Sequence, residues 1–530
     1  MTSRAVIAAG DPNTAQAGLD ILRGGGNAVD AAVGASFAAF TSEPILTGPF
    51  GGGFAVLGGG GVAPAVYDFF AAVPGQGLPA AADMPKLDFL GVDVDFGATT
   101  QTFHIGRGAA ASSAMLPGLV ELHAAHGRLP LEEVVRPGRE LASNGAVISP
   151  SIAGFVRVLE PILRHTPESA AIFAPGGELL AAGDRLINRD MADLLRRIGE
   201  GDPLAGQDAL LGAFGPPHGR LTPVDQNTCR VTTHPPVIVP VGDCQVVLNP
   251  PPSSGGLLVA FGLRLLENAA PSVWSDEVAT AKHLVAAMAI TNEARAHDLD
   301  KALDDPDLIA QVADRFLSDE NLDRWREPFE RATVEGPQEE GTARHDLGGT
   351  THISALDADG LACSITSSNG EGCGHVVPGC GAMANNFMGE DDLHPHGFHV
   401  GTPGKRLTSM MCPTVVLRDG EPVMVLGTGG SSRIRTALLQ VLVHQLYRGF
   451  SIEDAVLAPR MHYEGHCLYL EHRGPKSELP LAVMHELEKH SHEVVIFEAP
   501  NLYFGGVHSA GADGHGIGDP RRGGVVLHAD

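Results

Sequence analysis

Apolar residues recur at helical spacing early in the chain. Residues 14–23, TAQAGLDILR, read as a helix stopped by Gly24, Gly25 and Gly26, and Asn27 stands where an N-cap opens a second helix. There Val29, Ala32, Val33, Phe37 and Phe40 share one face, which predicts a buried stripe. A glycine-dense loop, EPILTGPFGGGFAVL, then enters a short apolar strand. The same periodicity predicts helices over 116–127, 130–144, 187–199, 255–267, 275–297 and 305–329, with Ser253 and Ser254 of PPPSSGG serving as N-cap of the 255–267 helix.

From residue 350 onward the pattern changes to short β-rich segments (THISALD, LACSITSS, PTVVLRDG, EPVMVLG), with helices near 434–449 and 479–490. Helices that bracket paired antiparallel strands predict an α/β fold of layered αββα type. The stretch 330–349 is polar, charged and poor in large apolar residues, and reads as an exposed connector. No internal repeat is visible, and the length of 530 residues is compatible with one interlocked unit.

Composition narrows the function. With 36 Lys+Arg against 63 Asp+Glu the net charge is -27, and no basic run of five or more occurs, so a nucleic acid partner is not expected. The seven cysteines are odd in number and include no Cys-x-x-Cys pair, which predicts reduced thiols rather than a disulfide framework. The N-terminus lacks a signal-peptide core and no apolar run approaches the ~20 residues of a membrane span, so the expectation is a cytoplasmic protein with no membrane partner.

Several segments invite a chemical reading. GPFGGGFAVLGGGG and GTGGSSRIRT lack the phosphate-loop pattern, but small consecutive residues such as Gly429, Gly430 and Ser431 can aim backbone N–H groups at an oxyanion. The run GEDDLHPHGFH gathers Glu390, Asp391, Asp392, His394, His396 and His399. It is read as a polar loop, with a metal-dependent hydrolase as a rival. No G-x-S-x-G elbow is present. The stretch LGGTTHISALDADG places Thr350 after Gly349, at the start of a predicted strand and downstream of an accessible connector. Those are the requirements of a threonine that frees its own α-amine by cutting the preceding peptide bond, because the amine, with a pKa of ~8, then serves as base. A strand threonine after a glycine turn is the plainer alternative. His352 lies on the strand face opposite Thr351 and is not needed as base.

The distant motifs GGGNAVDAAVGASFAAFTSEPILTGPFGGGFAVL, PPPSSGG, TTHISALDADGLACSIT, NNFMGED, KRLTSMMCPTVV, GTGGSSRIRT and GDPRRGG together resemble the γ-glutamyltranspeptidase family of N-terminal nucleophile hydrolases in order and spacing. The resemblance spans nearly the whole chain. It implies a precursor cut between Gly349 and Thr350 into a large segment, 1–349, and a small one, 350–530, interlocked in one αββα domain. It further implies Thr350 as nucleophile, Ser368 as its supporting hydroxyl, and Gly430 with Ser431 as the oxyanion pair. Thr408 and Ser409 match the hydroxyls near the donor's carboxylate, Glu390 the holder of its ammonium, and Asn386 lies in the same NN stretch.

This chain departs from the family pattern where the glutamyl group is gripped. Phe70, in YDFFAAVP, replaces an arginine, Phe387 replaces a polar residue after NN, and the pocket asparagine matches Asn369 only with a one-residue shift, or is Gly370. Arg107 is a candidate compensating cation. A shortened segment between Glu390 and Thr408 predicts an open site. The expected function is an autoprocessing threonine amidohydrolase or acyltransferase with a less glutamate-like donor, using no cofactor or metal, with a small amide as substrate and water or an amine as acceptor. The two segments, or a homodimer of them, form the assembly. The alternatives are a true γ-glutamyltransferase (glutathione hydrolase) and a non-processing relative that binds a small amide.

Overall fold

Period-two alternation along the central strands decides the layering. The computed structural model describes residues 5–95, 100–302, 306–338, 348–394, 396–491 and 493–529. Its main strands are β1 (Ala5–Ala9), β2 (Gly52–Gly59), β3 (Val62–Asp68), β4 (Thr232–His234), β5 (Val237–Val241), β6 (Cys244–Leu248), β7 (Thr351–Leu356), β8 (Leu361–Ser368), β9 (Thr414–Arg418), β10 (Glu421–Gly427), β11 (His508–Gly511), β12 (Gly516–Ile517) and β13 (Val525–Ala529). They form a seven-stranded sheet in the order β4-β3-β2-β8-β7-β1-β13 and a six-stranded sheet in the order β5-β6-β9-β10-β11-β12. Each ladder within these two sheets is antiparallel.

Ile7, Ala9, Ile353 and Ala355 point outward, onto α1 (Pro12–Arg23) and α2 (Ala28–Ser42). Their neighbours Val6 and Leu356 point inward, where they meet Val56, Val66, Val247, Val415 and Val425 between the sheets. The outer face of the second sheet packs Val246, Leu248, Met424 and Leu426 against α3 (Gly255–Leu266), α4 (Glu277–Ala294) and α5 (Arg433–Leu446). Strands covered on both faces are buried along their length, which is why β7 and β8 read as unbroken buried runs. The expected αββα sandwich is the fold.

Local chemistry sets the element ends. Asp11 accepts the N–H of Asn13 at 2.8 Å ahead of Pro12, and Asn27 and Asp30 form a reciprocal capping box at the start of α2. Three short helices that periodicity alone does not predict, Pro150–Val158, Pro167–Phe173 and Pro223–Thr228, each begin with a capping hydroxyl followed by proline. The 305–329 helix is instead two, Pro306–Phe316 and Asp319–Glu335, because Ser318 leaves the helical path and accepts the N–H of Asn321. The expected 330–349 connector therefore starts as helix through Glu335, and residues 339–347 lie outside the described residues. Ser254 occupies the N-cap position of α3, yet neither it nor Ser253 caps the helix. Their hydroxyls donate instead to the carbonyl of Ser409, at 3.2 and 2.8 Å.

All seven cysteines are buried free thiols. Among the described residues no helix is long and apolar enough to cross a membrane.

The layering predicts a contrast in stability. Leu356→Ala, emptying a fully buried position between the sheets, lowers unfolding free energy by about 2–5 kcal/mol in a denaturant titration, whereas Leu481→Ala at a 63% exposed position changes it by less than ~0.5 kcal/mol.

Candidate active site

One hairpin builds the centre of the site. β7 and β8 pair from Thr351↔Ser367 to Leu356↔Ala362. The turn between them is fixed by Asp357, whose Oδ1 accepts the N–H groups of Asp359 (2.9 Å) and Leu361 (3.0 Å), and by Gly360 at φ 82°. Thr350, one residue before β7, and Ser368, the last residue of β8, thus meet at the same end. Ser368 Oγ donates to the carbonyl oxygen of Gly349 and accepts the N–H of Gly370 at 2.9 Å. The N–H of Gly349 donates to Glu371 Oε1 at 3.2 Å, and Arg522 Nη1 donates to the carbonyl of Gly348 at 3.4 Å. Close approach demands glycine at two positions here. A Cβ on Gly349 would lie 2.4 Å from the carbonyl oxygen of Gly370, and one on Gly429 would lie 2.2 Å from that of Thr350.

The facing wall is the turn between β10 and α5. Gly430 has φ 130° and Ser431 has φ 49°, a left-handed conformation a non-glycine residue adopts only at a cost. The N–H groups of both residues sit at the positive end of α5 and donate to no described residue. The hydroxyl of Ser431 donates to the carboxylate of Asp392.

Between these walls runs a cleft lined by Thr350, Ser368, Ser431, Phe70, Phe387, Glu390, Thr408 and Ser409. Phe70 and Phe387 are each 1% exposed, with ring centroids 4.8 Å apart, and Phe54 stacks behind Phe70. The two sequence departures therefore form one apolar wall. Asn369 turns away, donating to the carbonyl of Met383. Asn386 sits behind the cleft, where its Oδ1 accepts the N–H of Glu371 at 2.9 Å. Gly370, at φ 61°, has no room for a side chain, since a Cβ would lie 2.0 Å from Asn386 Oδ1. Arg107 is not among the lining residues. Among the described lining residues the cation is Arg295, which follows α4 in a wide turn and is paired through Nε with Asp300 at 2.9 Å.

The segment after Glu390 borders the site: Asp392 and Leu393 line the cleft, where about 40 Å³ is free with Gly348 and Gly349 in place. His394 Nε2 lies 2.9 Å from the carbonyl oxygen of Phe387, and among the described residues no group of three His, Cys, Asp or Glu side chains is placed to hold a metal. His352 is fully buried between the sheets, bonded to Thr366 and Ser354, and burial holds its pKa well below the ordinary range, so it stays neutral.

Sequence reasoning missed three groups: Glu371, Arg295 and Glu43. Glu43, at the end of α2, accepts the hydroxyls of Thr351 (2.5 Å) and Thr14 (2.6 Å) and so pins β7 beside Thr350. Burial, with the nearby Asp11 charge, raises its carboxyl to about 7 against the hydroxyl bonds. Only the residue before the mid-buried end of a helix marked it, and that signal is weak.

The profile of the γ-glutamyltranspeptidase family, described as "Gamma-glutamyltranspeptidase", matches residues 14–529. The chain belongs to the γ-glutamyltranspeptidase family. An acylase ACY 1 proenzyme from Pseudomonas sp. (strain SE83) is 31% identical over 93% of this chain and 88% of its own length. The glutathione hydrolase proenzyme of Escherichia coli (strain K12) is 29% identical over 87% of this chain and 81% of its own. The crystal structure of a cephalosporin acylase from Bacillus halodurans superposes with a TM-score of 0.79, covering 99% of this chain and 96% of that one at 22% identity, so the two share a fold. Membership in the γ-glutamyltranspeptidase family makes the chain an enzyme of the amide hydrolase and acyltransferase class.

The Glu43 environment yields a pH prediction with a definite sign. A carboxyl raised in the folded state adds stability below its ordinary pKa and loses it as pH climbs through about 7. Denaturant titrations of Glu43→Gln against wild type therefore show the variant gaining on the order of 3 kcal/mol relative to wild type between pH 4.5 and 8. A difference independent of pH contradicts the buried-acid account.

Proposed function

We propose that this γ-glutamyltranspeptidase-family chain cuts itself between Gly349 and Thr350 and then turns over small amides through an ester on Thr350. In self-cleavage the Thr350 hydroxyl oxygen bonds to the Gly349 carbonyl carbon and the Gly349–Thr350 C–N bond breaks. The hydroxyl proton passes to the leaving nitrogen, which becomes the α-amine, and water then hydrolyses the glycyl ester to free the Thr350 hydroxyl and a Gly349 carboxyl. The observation that carries this reading is the carbonyl of Gly349 gripped by Ser368 immediately beside the candidate nucleophile. The relatives named as proenzymes support it.

In turnover the freed amine takes the Thr350 hydroxyl proton as that oxygen attacks the substrate carbonyl. The unengaged N–H groups of Gly430 and Ser431 receive the oxyanion, with the positive end of α5 behind them. The amine returns the proton to the leaving nitrogen, and water or an acceptor amine resolves the ester. Thr408, Ser409 and Glu390 offer polar contacts to the acyl group, while Phe70 and Phe387 give it an apolar wall.

That wall favours an acyl donor without a carboxylate next to its amine. An aromatic ring cannot replace the charge-assisted bonds of an arginine, whose loss costs ~2–5 kcal/mol. A second reading, a true γ-glutamyl donor gripped by Arg295 from another direction, is favoured by that residue's place on the cleft. Kinetics separate the two. An apolar acyl p-nitroanilide exceeds γ-glutamyl-p-nitroanilide in kcat/KM by about 10²-fold, and Arg295→Ala leaves the apolar donor's kcat/KM within about threefold. Efficient γ-glutamyl turnover that Arg295→Ala abolishes establishes the second reading instead. Thr350→Ala runs as one uncut, inactive chain on a denaturing gel, and a single, inactive band for the wild type points to a non-processing amide binder.

A further inference from the structure

Gly349 has no side chain, yet both of its backbone polar groups are held. Ser368 donates to its carbonyl, and Glu371 Oε1 accepts its N–H at 3.2 Å. These bonds lie on either side of one Cα, so together they restrict both torsions of the residue whose C–N bond is to break. The third side is a wall, since the carbonyl oxygens of Gly370 and Ile45 lie 2.4 and 3.2 Å from where a Cβ would stand. A glycine left free would spread over many conformations, few of which present the carbonyl carbon to Thr350.

Glu371 is itself built into place. It is 3% exposed. Its own N–H donates to Asn386 Oδ1 at 2.9 Å, and its Oε2 accepts Asn386 Nδ2 at 3.4 Å, leaving Oε1 directed at Gly349. Asn386 is tied in turn to the carbonyl of His104 at 3.5 Å, and its own carbonyl accepts the N–H of Gly389 at 2.7 Å. The residue thus reaches the cleavage site across an asparagine bracket, and no other described side chain accepts the Gly349 N–H.

We propose that Glu371 is a positioning residue for chain cleavage: its carboxylate holds the N–H of Gly349 while Ser368 holds the carbonyl, presenting the scissile bond to Thr350. This rests on the self-cleavage reading above and adds the acceptor without which the peptide is loosely held. It also assigns Asn386 the task of orienting that carboxylate rather than touching a donor. Once the ester is hydrolysed, Gly349 ends in a carboxylate beside Glu371, with Glu390 and Asp392 lining the cleft and cavity next to it.

The test is the first-order rate at which newly translated full-length chain becomes two pieces, followed by denaturing gel in a cell-free extract. Glu371→Gln keeps an acceptor oxygen and slows cleavage by about 3- to 30-fold. Glu371→Leu, of similar size with no acceptor, slows it at least 10²-fold. Melting temperatures of the same substitutions in a Thr350→Ala background, which cannot be cut, show whether each variant folds. Leu cleaving within threefold of wild type overturns the proposal, as does Gln being as slow as Leu when both melt near the Thr350→Ala parent. Should the Leu variant fail to fold, Glu371→Ser, too short to reach Gly349, takes its place under the same criteria. A wild-type chain that never cleaves, or a Thr350→Ala chain that does, sinks the self-cleavage reading itself and is recognisable before any Glu371 variant is made.

Discussion

The grip of Ser368 on the carbonyl of Gly349 depends on most of the molecule. Ser368 ends β8, Thr350 precedes β7, and a four-residue turn at Asp357–Gly360 joins them, so the whole hairpin from Thr351 to Ser368 sets one hydrogen bond. That hairpin is the middle of the seven-stranded sheet, paired on one side with β2 and on the other with β1. Its inward residues lock onto the second sheet, where Ser354 donates to the carbonyl of His508 and Ser364 to that of Leu426. Its outward residues pack on α1 and α2, and Glu43 fastens Thr351 from that side. A shift of one residue in register would send Thr351 to the inter-sheet layer and His352 toward the helices. Two covered faces forbid it.

Behind the second half of the site lies a cluster of buried charge. The motif GDPRRGG places Asp519 against Arg460 at 2.6 Å and Arg521 against Glu471 at 2.5 Å, with all four side chains excluded from solvent. Arg522 extends from this cluster to the carbonyl of Gly348, while Arg433, the first residue of α5, lies over the ring of Tyr503. Buried pairs of this kind contribute little net stability but are costly to break singly. The turn that presents Gly430 and Ser431, opposite the hairpin, is tied on either side, where Thr428 Oγ1 accepts the N–H of Gly506 at 2.9 Å and Ser432 Oγ donates to Glu464 at 2.8 Å. The cleft is therefore framed by one wall held by sheet register and another tied by side-chain hydrogen bonds at the flanks of its turn.

Much of this was legible in the residues. Alternation after 350 pointed to the strands of the hairpin, because that signal is local, whereas the reading of Thr350 as nucleophile came from the agreement of distant motifs. The pairing of Phe70 with Phe387 was also open to inference, since both stood where a polar grip was expected. Glu371 was hidden because its contacts are with Gly349 and with Asn386, both distant in sequence, and neither leaves a periodic trace. Arg295 was invisible for a similar reason: a wide turn after α4 delivers it from a helix with no other share in the cleft. Asn369 misled because spacing cannot tell which side of a strand end a side chain takes once two positive-φ glycines follow, and Gly370 and Gly372 both do.

The account stands on a bond that breaks between Gly349 and Thr350. Intact-mass spectrometry of the purified wild-type chain tests this most directly. The account predicts two species, one ending at Gly349 and one beginning with a free amine at Thr350, held together under native conditions and separated by denaturant. A single species of full-length mass that persists while the protein hydrolyses amides would contradict it, since Thr350 would then lack the amine that makes it a nucleophile.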